Sequence, residues 1–85
     1  MIAIELKQEV HAWAVKIKVK PVAVHIRKMK NKWASCSSRG RLTFNSDILD
    51  EKDRFIKEAI VHELLHLKYP NHGRMFKTLL KMYTT

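Results

Sequence analysis

The stretch His62-Glu63-Leu64-Leu65-His66-Leu67-Lys68-Tyr69-Pro70-Asn71-His72 organises everything around it. Ile56, Ile60, Leu64 and Leu67 recur at helical spacing, so His62 to His66 fall inside an amphipathic helix. Asp50 is the expected N-cap, with Asp53 as a capping-box partner, and Pro70 stops the helix after about Tyr69. Residues four apart on a helix share a face, about 6 Å from one another. The imidazoles of His62 and His66 therefore converge on one point, as the first two ligands of a tetrahedral zinc do. Glu63, turned roughly 100° from His62, is kept off the metal but stays within reach of its water.

A third ligand follows the helix stop. After His66 the chain has no Asp, Glu or Cys and a single histidine, His72, where the break at Pro70 lets the backbone fold back. The expected site is one zinc per chain, held by His62, His66 and His72. Three protein ligands leave a position for water, which marks a catalytic rather than a structural site. Zinc brings the pKa of that water to about 7, and Glu63 is placed to take its proton as general base. The histidine interval equals that of the metzincins, but Tyr69 stands where those carry glycine, so a different turn is expected. Cys36 is the one candidate for a fourth protein ligand.

Leu6, Val10, Trp13 and Ile17 predict an amphipathic helix over residues 3–16. Val22, Val24 and Ile26 alternate with Ala23, His25 and Arg27 as in a half-buried strand, and a second strand spans Lys32 to Cys36. Ser37-Ser38-Arg39-Gly40 is a turn, and Arg41 to Asn45 makes a third strand with Leu42 and Phe44 on one face. These read as an antiparallel three-stranded meander. A last helix turns Met75, Phe76, Leu79, Leu80 and Tyr83 inward. The fold class is α+β, in one domain over residues 1–85. Trp33 is expected in the core, His11 and His25 at the surface. Tyr69, Arg74 and Tyr83 are the candidate donors to an oxyanion.

At 85 residues the margin of stability is thin, and a bound metal adds directly to it. One cysteine excludes an internal disulfide, and 46% hydrophobic residues exclude a disordered chain. No basic-then-apolar leader and no run of about 20 apolar residues is present, so a cytoplasmic protein is expected, with no membrane contact. The net charge is +9, and from Val10 to Ser46 no acid interrupts nine cations: Lys16, Lys18, Lys20, Arg27, Lys28, Lys30, Lys32, Arg39 and Arg41. Such a block attracts nucleic acid unless it is simply a solvated surface. Three functions follow. The leading one is a zinc metallopeptidase acting on peptide or protein. A hydrolase of nucleotide phosphate anhydrides and a zinc-stabilised nucleic-acid-binding module are the alternatives.

Met29-Lys30-Asn31-Lys32-Trp33-Ala34-Ser35-Cys36-Ser37 resembles the M-K-x-R-W-G-S-C-S signature of the YgjP-like metallopeptidases. Gly40 to Asn45 resembles their G-x-I-x-L-N strand, and His62 to Leu67 with Asn71-His72 and Phe76 resembles their H-E-L-x-H-L…N-H-S…F block. Ala34 for Gly and Gly73 for Ser are small-for-small departures. The resemblance covers residues 22–82 and implies a minimal zincin core without the longer N-terminal region of fuller members. It also relates the chain to SprT and Spartan-type domains, which cleave proteins crosslinked to DNA. In such cores an extended peptide adds to the edge strand of the sheet, and Arg41–Asn45 is the expected edge.

Overall fold

The computed structural model describes residues 1–85. The first helix, α1 (Ala3–Ile17), opens where the Glu5 carboxylate accepts from the Ile2 N–H at 3.0 Å. The terminal ammonium donates to the Leu49 carbonyl at 3.1 Å, tying this end to the middle of the chain. Leu6, Val10, Ala14 and Ile17 form its buried stripe. The helix closes on Lys18, whose N–H reaches the carbonyls of Ala14 and Val15 and whose φ is 65°. That left-handed position is one usually given to glycine.

Three strands follow: β1 (Ala23–Arg27), β2 (Ala34–Cys36) and β3 (Arg41–Asn45). Their order is β1-β3-β2, with β3 parallel to β1 and antiparallel to β2. The sheet is mixed, not the antiparallel meander read from the sequence, and β3 is its centre rather than an edge. Burial explains the exchange. Leu42 and Phe44 on β3 are fully buried, whereas β1 and β2 are only partly covered, so the most apolar strand takes the interior place. Residues 28–33 then need only cross two strand spacings, about 10 Å, which six residues span easily.

Asn45 holds that crossing. Its side-chain amide donates to the carbonyls of Met29 at 3.0 Å and Lys32 at 2.8 Å, while its Oδ1 accepts from the Asp47 N–H at 3.0 Å. The β2–β3 turn depends on Gly40, at φ 88°. A Cβ there would stand 3.2 Å from the Val22 side chain as well as straining the backbone.

A 3-10 turn (Ser46–Asp50) leads into α2 (Asp53–Leu65), and α3 (Arg74–Thr84) ends the chain. Asp50 belongs to the 3-10 turn and does not cap α2, whose N-cap is Lys52. Nor does regular α-helix continue to Tyr69. His66, Leu67 and Lys68 bond three residues back, to Glu63, Leu64 and Leu65, as the chain tightens ahead of Pro70.

Thirteen buried side chains form one core, in which α2 packs against α1, α3 and β2. Of the apolar residues expected inward on α3, Phe76 is buried and Leu79, Leu80 and Tyr83 half-buried. Met75 is 55% exposed. No helix is long and apolar enough to cross a membrane.

Candidate metal centre

The last turn of α2 presents His62 and Glu63, the tightened turn after it presents His66, and the loop before α3 returns His72 to the same place. One ring nitrogen from each histidine lies within 4.8 Å of the others. His66 Nε2 and His72 Nε2 are 2.9 Å apart. A tetrahedral ion bonded at about 2.0–2.1 Å needs donor separations near 3.3 Å, so small rotations bring all three to one metal. His62 Nδ1 and Glu63 Oε2 are 3.0 Å apart. Because an ionised carboxylate can only accept, the tautomer that suits this contact carries its proton on Nδ1 and its free lone pair on Nε2. The three imidazoles share one support, with ring centroids 5.3, 4.8 and 4.7 Å from that of buried Phe76. The donor set therefore fits a metal of the imidazole-preferring kind.

His72 has its pKa lowered by desolvation first, then by His66, His62 and Lys77, against an opposing pull from Glu63. The neutral form, the one able to ligate, is favoured. Glu63 is 8% exposed. It forms the floor between two hollows, a cleft of about 900 Å³ that also takes in His66, and a smaller one of about 290 Å³ that takes in His62.

β2 forms the wall between them. Trp33, Ser35 and Ser37 turn their backbone groups to β3, since Trp33 O accepts from Asn45 N–H and Ser37 N–H donates to Arg41 O. By the alternation of an antiparallel pair, Ala34 and Cys36 turn theirs outward, into the cleft. The open edge beside the histidines is thus β2, not the expected Arg41–Asn45.

Cys36 points the same way as Leu42 and Phe44, towards α2, but is not part of the histidine cluster. Burial first, then the charge of Glu63, holds its thiol above the ordinary range, so it stays protonated. Trp33 is not in the core: it is 41% exposed, set edge-on to Phe55 at 5.3 Å, and lines the smaller hollow. The sequence carried no signal of this, because Trp33 lies in the loop before β2 and no periodicity reaches it. Tyr83 is engaged with Trp13 at 5.9 Å and Tyr69 packs against the core, so neither lines the cleft of Glu63. Arg74 is exposed at the start of α3. His11 and His25 are exposed, as expected.

The nine cations do not make one surface. Lys18, Lys20, Lys32 and Arg39 line the cleft, while Arg27 and Arg41 line a separate hollow over the sheet. Lys28 pairs with Asp47 at 2.6 Å, and Lys16 sits over the Trp13 ring at 4.6 Å.

A helix end carrying one imidazole and a carboxylate, with two further imidazoles returned to it by the turn and loop that follow, and laid along an open sheet edge, is the architecture of a metallopeptidase core. The model of the YgjP-like metallopeptidase domain matches residues 2–85, and the chain belongs to that family. The crystal structure of the metallopeptidase zymogen of Methanocaldococcus jannaschii jannalysin is similar at TM-score 0.83 and 28% identity. That match covers 92% of this chain and 80% of jannalysin. The metallopeptidase zymogen of Pyrococcus abyssi abylysin shares the fold at TM-score 0.78 and 21% identity, over 89% of this chain and 76% of abylysin. No curated protein matches the sequence.

Proposed function

We propose that the protein is a zinc-dependent metallopeptidase in which His62, His66 and His72 hold the metal and Glu63 is the general base. The observation that carries this reading is the meeting of the three imidazoles with Glu63 beside the outward-facing backbone of Ala34 and Cys36. Zinc bound there supplies Lewis acidity for the attacking water and the scissile carbonyl.

The remaining work falls to the chain itself. The N–H and C=O groups of Ala34 and Cys36 take an extended peptide by strand addition, which fixes its register over Glu63. Trp33, Phe55 and Ala59 offer an apolar subsite on one side. The Glu63 carboxylate accepts a proton from the attacking water and returns it to the leaving amine nitrogen. Its seat at 8% exposure keeps competing water away.

The test pairs metal content with turnover. Purified protein should carry one zinc, and His66→Ala and His72→Ala should lose metal affinity to similar degrees. Glu63→Gln should keep metal and fold yet lose about 10²–10⁴ of peptide hydrolysis, the usual value of a general base. A fully active, zinc-loaded Gln variant removes Glu63 from the chemistry. Cleavage of nucleoside triphosphates with peptides untouched overturns the peptidase assignment.

A further inference from the structure

Lys18 is the one residue other than glycine with a positive φ, at a helix end where glycine meets no steric resistance. The side chain retained against that preference lines the cleft beside the histidines, together with Lys20, Lys32, Arg39 and Lys68. Among the 17 residues around this cleft Glu63 is the single acid. The other seven acids lie elsewhere: Glu5 and Glu9 on α1, then Asp47, Asp50, Glu51, Asp53 and Glu58 around the start of α2. Around the start of α2 the acids are interleaved with Lys52, Arg54 and Lys57, whereas beyond its C-terminal end the cations of the cleft meet no acid but Glu63.

Nothing neutralises the five cations from within. The one lysine or arginine of the protein paired with an acid is Lys28, on Asp47, and Glu63 is hydrogen-bonded to His62 rather than to a cation of the cleft. A cleft walled by one sign of charge focuses its field inward and raises the local concentration of the opposite sign. The same wall carries the outward backbone of Ala34 and Cys36, which offers hydrogen bonds that a polypeptide can return and a phosphodiester chain, lacking backbone N–H groups, can return only in part. Cations scattered over separate hollows likewise suit a local charge reader better than a nucleic-acid track.

Resting on the peptidase reading, we propose that the substrate is an acidic polypeptide segment. Its Asp and Glu side chains lie towards Ser37–Gly40, where Lys18, Lys20, Arg39 and Lys68 receive them. Charge thus selects the substrate on one side of the scissile bond, opposite the Trp33 and Phe55 subsite.

The experiment uses the full-length, zinc-loaded Glu63→Gln protein and fluorescein-labelled peptides that share one core sequence and differ in an Asp/Glu, Ser or Lys flank. Anisotropy should show the acidic peptide binding about tenfold more tightly than the Ser peptide at low salt, with the gap closing when salt shortens the Debye length to about 3 Å. The double charge reversal Lys18→Glu, Arg39→Glu should turn the preference towards the Lys peptide. Lys18→Gly should weaken the acidic preference while raising the melting temperature, which separates the role of the side chain from folding. Equal affinity for acidic and Ser peptides overturns the proposal, as does a preference unchanged by charge reversal. A single-stranded oligonucleotide that displaces the acidic peptide at lower concentration than unlabelled acidic peptide does also overturns it, in favour of nucleic acid. Cleavage by the wild type without acidic preference counts against this proposal alone; charge-reversible binding without cleavage counts against the peptidase reading alone.

Discussion

Cys36 and Glu63 face each other from β2 and α2, and the carboxylate affects the chemistry of the thiol. Burial and, after it, the neighbouring carboxylate raise the Cys36 thiol above its ordinary range and disfavour the thiolate. The sign is checkable. In metal-free protein, the rate of alkylation by iodoacetamide against pH should rise at higher pH than for an unhindered cysteine. In Glu63→Gln the midpoint should fall, because removing a negative charge favours the thiolate. Burial is the larger cause, so the midpoint should remain above the ordinary range even in the variant. A profile indifferent to Glu63 would separate the two residues. His62, Glu63, His66 and His72 were all legible as a group in the sequence, because helix geometry fixes the first three and elimination supplies the fourth. The orientation of Cys36 was not, since it depends on the pairing of β2 with β3.

Elements are held here by single residues at their ends. Lys18 closes α1 in a conformation that costs a lysine about 1 kcal/mol relative to glycine. Lys18→Gly should therefore stabilise the protein by up to about that amount, read as a higher urea midpoint with an unchanged slope. Asn45 has the opposite balance. It is 6% exposed and makes three side-chain hydrogen bonds that hold the loop bearing Lys32 and Trp33 to the end of β3. Asn45→Asp keeps the acceptor but loses both donors and sets a charge against two carbonyls. A loss of about 2–4 kcal/mol in urea unfolding is expected, with changed tryptophan emission as Trp33 leaves Phe55. Asn45→Ala should cost a similar amount, so agreement between the two variants would assign the loss to the missing donors.

At the scale of the whole molecule, one cluster of thirteen side chains carries a chain of 85 residues, and α3 contributes a single fully buried residue to it. That residue is Phe76, the support beneath all three imidazoles. A metal joining α2 to the loop before α3 would thus fasten the most weakly anchored helix. Chelation should lower the melting temperature by several degrees, and hydrogen exchange should quicken in α3 before α1 or β3. A melting curve indifferent to chelator would confine the metal to chemistry and leave α3 held by Phe76 alone.

The sequence by itself determined what is local. Periodicity placed α1 within one residue of its end, alternation placed Leu42 and Phe44 on the buried face of β3, and spacing brought His62 and Glu63 at the end of α2 together with His66 in the turn that continues it. His72 was also within its reach, because few residues separate it from His66 and no rival ligand follows. Tertiary structure decided what depends on competition between distant segments. Which strand is central follows from the total burial each can obtain, so β3 displaced β2 from beside β1, and the open edge passed to Ala34–Cys36. Trp33 was drawn from the expected core to the rim of the site because Asn45 fixes its loop there. The nine cations, continuous in the chain, were parted by the alternation of strands and the path of the loops, and only some of them reached the cleft.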